Sequence, residues 1–154
     1  MKPLEKLSKG LTGIAGEYFV AGELSRRGIM ASITLRNNDS IDIHASSGDG
    51  KHLVAIQVKT NQTGRRSWAL GAKSETLKAV NLYYIFVALK GENERADYFI
   101  VPSEIVAKRI KAVHTKWLNT PGKKGQAHKD NSIRTFFDDS GEFLERWDLL
   151  SLND

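Results

Sequence analysis

The chain has 154 residues, 40% hydrophobic and 27% charged, the size and make-up of one ordinary domain with a core of its own. It has no cysteine, which excludes disulfides, thiolate metal sites and cysteine nucleophiles, and its longest apolar run, Leu82 to Leu89, is far short of the ~20 residues of a membrane helix. No apolar signal core opens the sequence and the formal net charge is +5, so the expectation is a cytoplasmic protein with a surface suited to a polyanionic partner.

In chain order, Leu11, Ile14, Tyr18, Ala21 and Leu24 recur at helical spacing and predict a helix over 11–28, with Gly28 as its stop. Three extended segments follow, at 29–35, 40–45 and 52–60. The Gly-rich stretch "SSGDGK" joins the last two into an antiparallel hairpin. "NQTGRRSWALGAKSE" lacks periodicity and reads as a loop with a short helix entering near Ser74. "NLYYIFVALK" and "RADYFIVP" read as two more strands, the first buried on both faces. A helix over 103–118 is predicted from Ser103 as N-cap and from the apolar side Ile105, Val106, Ile110, Val113 and Trp117. "NTPGKKGQAHKDN" is a loop, and the last twenty residues hold one short strand or helix. This order predicts an α/β fold in a single domain: one mixed central sheet flanked by helices.

Charge is unevenly spread. Val101 to Thr135 holds eight Lys or Arg against two acids, and Phe136 to Asp154 holds six acids against one Arg. The two segments either polarise the surface or pair with each other.

Alternation along the hairpin puts Ser40, Asp42 and His44 on one face, and Gln57 with Lys59 on one face of the next strand, opposite Val54, Ile56 and Val58. An amphipathic hairpin with a solvated face accounts for such a pattern on its own. The first helix adds a second consideration: projected at 100° per residue, Glu17 falls inside the apolar arc, whereas Glu23 falls on the polar arc within reach of Arg26 and Arg27. A buried carboxylate seeks a cation, a metal or a proton, and a helix packed beside the hairpin brings Glu17 towards Asp42 and Lys59. Two carboxylates, the Gln57 amide oxygen and a backbone carbonyl at Val58 make a hard-oxygen set suited to Mg²⁺ or Mn²⁺. The four histidines show no zinc spacing, and no Gly-rich phosphate cradle lies between a strand and a helix.

"SID", followed fifteen residues after Asp42 by "QVK", behind a helix carrying "GEYFVAGEL", resembles the PD-(D/E)XK nuclease superfamily, most closely its small stand-alone members near the Holliday-junction resolvases and restriction-type nucleases. The likeness covers about residues 11–101. It implies a restriction-endonuclease-like core that cuts nucleic-acid phosphodiesters with a divalent metal. Asp42 matches the metal-binding aspartate, Lys59 the catalytic lysine and Glu17 the helix acid of resolvase-like members. Gln57 stands where Asp or Glu usually sits, and Ile41 replaces the usual small residue or proline before the aspartate. On this reading Asp42→Ala and Lys59→Ala each abolish cleavage with thermal stability nearly unchanged.

Two stretches are suited to holding the substrate, which is expected to be DNA. "GRRSW" offers Arg65 and Arg66 for phosphates and Trp68 for stacking on a base or sugar; "GKKGQAHKD" offers Lys123, Lys124 and Lys129, with His128, in a flexible loop. Cutting both strands of a duplex needs two sites, which a homodimer would supply, though nothing in the residues requires one. The alternative function is a nuclease fold with a silent site, acting as a DNA-binding or protein-interaction module.

Overall fold

The first helix has a signal at each end. The computed structural model describes residues 6–35 and 40–153; most of the N-terminal stretch read for a leader and the last acid of the tail, Asp154, lie outside them. Helix α1 spans Lys9–Ser25, with Ser8 Oγ accepting the Leu11 N–H at 3.2 Å. At the other end Gly28 takes φ 79°, its N–H reaches the Ser25 carbonyl, and the Ile29 N–H closes back on the Leu24 carbonyl at 3.1 Å. A Cβ is strained at that φ, so glycine permits the Schellman ending, and Ile29 and Leu24 join one core cluster.

The strands are β1 (Met30–Ile33), β2 (Ile43–Ser46), β3 (Leu53–Asn61), β4 (Ser67–Gly71), β5 (Leu82–Ala88), β6 (Asp97–Pro102) and β7 (Ile133–Phe137), with helix α2 (Ser103–Asn119) between β6 and β7. Five of them form one sheet in the order β1-β2-β3-β5-β6. The β3–β5 pair is parallel and the other neighbours are antiparallel, so the sheet is mixed. β4 and β7 pair antiparallel in a separate ribbon.

Side-chain alternation sorts the sheet residues into two cores. Ile43, Ala45, Val54, Ile56, Val58, Ile85, Val87, Tyr98 and Ile100 join Val20 and Leu24 of α1 and Trp147 of the tail in one cluster. Tyr84, Phe86, Phe99 and Val101 join Val106 and Ile110 of α2 and Trp68, Leu70 and Phe136 of the ribbon in the other. The mixed sheet is thus flanked by α1 on one face and by α2 with the ribbon on the other, as the sequence pattern predicts.

Four expectations are corrected. The buried face of α1 is Thr12, Gly16, Val20, Glu23 and Leu24, while Leu11, Tyr18 and Phe19 are exposed, Tyr18 by 66%. Small residues face the sheet so that the helix backbone can approach it, and a Cβ on Gly16 would overlap Thr60 Oγ1. Glu23, expected on the surface, is only 9% exposed. Arg27, Arg26 and Arg95 converge on it, and Glu145 of the tail joins the same network through Arg27 and Arg95. Ser103 does not cap α2: the N-cap position is Pro102, and the Ser103 hydroxyl accepts the Ala79 N–H and donates to the Ala79 carbonyl, tying the turn before β5 to the start of α2. The stretch read as a loop holds a real strand, β4, whose Trp68 and Leu70 point inward.

The two charged segments meet in the Arg109–Glu142 pair. Other tail acids find partners elsewhere, with Glu145 on Arg27 and Arg95, Asp148 on Arg146, and Asp138 accepting the backbone N–H groups of Glu142 and Phe143. Most of the cations between α2 and β7 are therefore not neutralised by the tail.

Candidate active site

Strand β2 parts from β3 at Asp42. From Ser46 to Ile43 the two strands run in register, Ser46 opposite Leu53 and Ile43 opposite Ile56. Asp42 lies in a bend just before β2, half-buried; its N–H donates to the Ile56 carbonyl at 2.9 Å and its Oδ2 accepts the Val58 N–H at 2.7 Å. The carboxylate has thus replaced the backbone of β2 as the partner of β3, and a fork opens beside Val58.

Backbone directions along β3 define what faces that fork. Ala55 donates its N–H to Asn81 and Asn61 accepts from Leu89, so odd-numbered residues bond towards β5; Ile56 and Val58 bond towards β2. Both backbone groups of one strand residue point the same way, so the Val58 carbonyl faces the fork along with its N–H.

Gln57 and Lys59 share the opposite alternation from Val58 and project on the face of Tyr84 and Phe86, their register partners in β5. Gln57 is only 4% exposed and Lys59 is half-buried. The neighbouring aromatic cluster is what dries this face: Tyr84 stacks on Phe86, and Phe86 on Phe136, with centroids 5.6 and 4.4 Å apart. Burial raises the Tyr84 hydroxyl above its ordinary pKa.

Glu17 approaches from the other face. It is half-buried on α1, directly after Gly16, whose backbone lies against Thr60 of β3. The structure therefore gathers Asp42, Gln57, Val58 and Lys59 at one end of the same hairpin and sets Glu17 on the helix that crosses β3 one residue beyond Lys59. Among the described residues no group of three His, Cys, Asp or Glu side chains is placed to hold a metal ion.

The Asp42–Val58 bond also corrects the expectation for Asp42→Ala. Alanine leaves the Val58 N–H without this acceptor, so that variant is expected to lose stability.

The proposed substrate contacts divide. Trp68 is 3% exposed, packs against Phe86 and Phe99 and donates its indole N–H to the Val87 carbonyl at 2.9 Å, so it offers no face to a base and is a core residue. Arg65 is exposed at the end of the β3–β4 turn, where Asn61 Nδ2 donates to the Arg65 and Ser67 carbonyls. Arg66 is half-buried over the Phe99 ring and donates to the Asp139 carbonyl. Lys123, Lys124 and Lys129 are exposed, at the far end of the ribbon: β4 and β7 pair from Ser67–Phe137 to Gly71–Ile133, and Arg65 precedes the first pair while the lysine loop precedes Ile133. Five strand residues at roughly 3.4 Å each separate the two groups. The loop itself is built: Gly122 N–H donates to the Gln126 carbonyl, Gly125 N–H to the Gly122 carbonyl, and His128 stacks on Trp117 at 4.2 Å.

Sequence reasoning placed Trp117 on the packed side of α2 and gave His114 no partner. The signal for their stacking was present as the i, i+3 spacing of the two on α2.

No family model matches the chain, and no curated protein does. Among solved structures it is similar to Hjc, a Holliday junction resolvase from the archaeal hyperthermophile Archaeoglobus fulgidus, with a TM-score of 0.46 and 16% sequence identity, over 82% of this chain and 84% of that one.

Proposed function

We propose that the chain is a metal-dependent nuclease that hydrolyses DNA phosphodiester bonds at the β2–β3 fork. The observation that carries this reading is the placement of Asp42 on the Val58 N–H, with Gln57 and Lys59 on either side of Val58. A strand pair that served only the core would continue its ladder here. Instead the Asp42 carboxylate takes the Val58 N–H where β2 departs, which supports a polar site there.

The residues fit Mg²⁺ or Mn²⁺ by donor type. Asp42, Gln57, the Val58 carbonyl and Glu17 would hold the ion, all through oxygen. An ion so held polarises a phosphodiester and lowers the pKa of a bound water. Lys59 supplies a fixed positive charge for the phosphate oxygens as negative charge grows on them and orients the attacking water. Arg65, exposed beyond the end of β3, would take a flanking phosphate, and Arg66 would do so on leaving the Asp139 carbonyl. A homodimer would supply the second site for a duplex.

A second reading is supported by Gln57, which carries one charge fewer than a carboxylate in a site where a metal needs charge. In that reading the fork is silent and the basic surface of α2 and the following loop is the functional one, as a DNA-binding or interaction module. Calorimetry with Mn²⁺ separates the two. The nuclease reading requires binding by the parent chain and its loss in Asp42→Asn; equal heats from both, or none from the parent, support the silent fold.

A further inference from the structure

The outer surface between α2 and β7 has a hollow of about 260 Å³ that the fork does not use. Val113 and Trp117, one turn apart on α2, line it together with Ile133 and Phe137 of β7. All four are exposed large apolar side chains in an otherwise polar region. Asn131 and Thr135 add hydrogen-bonding groups to the same wall. A volume of this size is too small for a docked helix and is well matched to one planar ring.

The loop that carries His128 is cationic. From Lys116 to Lys129 the chain has Lys116, Lys123, Lys124 and Lys129 and no Asp or Glu. The two acids beside the hollow are already engaged, Asp130 with His114 at 2.7 Å and Glu75 with Arg134 at 2.5 Å. His128 stacks on Trp117 and Trp117 on His114, with interplanar angles of 24° and 29°, which holds the indole in one orientation at the hollow's edge.

We infer that this hollow receives an unstacked base of a single-stranded nucleic-acid segment, whose phosphates run along the lysine loop. An aromatic edge with apolar walls suits a base of any identity, and an acid-free run of lysines suits the backbone beside it. The inference rests on a nucleic-acid partner and goes beyond the fork, since it requires that the bound strand be open, not fully paired, along the outer face of β7.

The test is equilibrium binding of a thymidine decamer and of an abasic decamer of equal charge to the whole chain in excess chelator, read by intrinsic fluorescence. Trp117 is 37% exposed while Trp68 and Trp147 are buried, so quenching by a base held in the hollow reports on Trp117. The expected result is quenching by the thymidine strand only, with the abasic strand binding roughly tenfold more weakly, and loss of that difference in Trp117→Ala. Trp117→Phe keeps a ring, and it should retain the preference while losing the signal. Lys123→Glu with Lys124→Glu should weaken both strands and flatten the salt slope by roughly 0.7 for each phosphate that is no longer neutralised. Equal affinity for the two strands, or unquenched emission at saturation, overturns the inference. A chain that cuts DNA yet fails this test keeps the fork and loses the hollow; a chain that passes it and never cuts keeps the hollow and loses the fork.

Discussion

Asp42 Oδ2 accepts the Val58 N–H at 2.7 Å at the point where β2 leaves β3, so one carboxylate both ends the strand pairing and marks the candidate site. The two roles can be separated by substitution. Asp42→Asn keeps an oxygen acceptor for Val58 and removes the charge, whereas Asp42→Ala removes both. The expected outcome in thermal melts is an Asn variant close to the parent and an Ala variant less stable by about 1–3 kcal/mol, with cleavage lost in each. Equal melting of all three proteins would show that the bond carries no weight.

Lys59 is half-buried beside Phe86 and belongs to none of the ion pairs among the described residues. Its replacement should therefore cost chemistry far more than stability. Lys59→Ala is expected to lower single-turnover cleavage by about 10²–10³-fold, in the range of other lost transition-state donors, while shifting unfolding by less than about 0.5 kcal/mol. A chevron or urea melt alongside the rate measurement separates the two effects.

Gln57 is the neutral amide among the proposed ligands, and Gln57→Glu tests what a charge there does. A carboxylate at this position adds a charge that a divalent ion can neutralise, so Mn²⁺ affinity should rise at least several-fold, about 1 kcal/mol or more, by calorimetry. Without metal the same charge is poorly solvated on a face only 4% exposed, so the metal-free variant should melt below the parent. Unchanged affinity together with a lowered melting point would place Gln57 in the packing and outside any metal set.

Glu23 and Glu145 give the fold an acid dependence. Burial pushes the Glu23 carboxyl up, but a hydrogen bond from Arg27 and the charges of Arg95, Arg26 and Arg27 outweigh it and hold the group below its ordinary 4.5. Burial likewise raises Glu145, and the Arg95 and Trp147 hydrogen bonds with the Arg95 and Arg27 charges bring it below the same value. A depressed folded pKa means that the unfolded chain takes up the proton first as pH falls. Their contribution is therefore complete above about pH 4.5 and is lost as pH drops through the lower folded values. Urea melts from pH 7 downward should show a plateau and then a decline below that point, and Glu23→Gln should lower the plateau by about 1–3 kcal/mol and make the decline shallower. A decline of the same steepness in the variant would contradict the assignment.

The two-faced strands and the hairpin around Asp42 were legible because a period of two with a Gly-rich turn leaves few alternatives. β3, β5 and β6 fall close to their predicted spans for that reason. The orientation of α1 was not legible. Its large apolar residues suggested one contact face, but close approach to the sheet selects small ones, and Gly16 against Thr60 outranks Tyr18 and Leu11. β4 and β7 escaped because each is five residues long and they pair across more than sixty residues, a relation that no local pattern carries. The same distance hid Trp68 as a core residue: flanked by Arg66 and Ser67 it reads as a loop aromatic, and only Phe86, Phe99 and Phe136 make it an interior one. Of the candidate site, the shared face of Gln57 and Lys59 was readable from alternation. The Val58 N–H as the partner of Asp42 was not, because it depends on where β2 turns away.

Whether the fork cuts DNA with a divalent ion is tested most directly by cleavage of plasmid, single-stranded and four-way-junction DNA. The parent chain is assayed in Mg²⁺ or Mn²⁺, against chelator and against folded Asp42→Asn. Metal-dependent products are expected from the parent on at least one of these substrates and none from the variant. Intact DNA in every parent lane, or products that persist in chelator or in Asp42→Asn, would contradict a metal-dependent site at the fork.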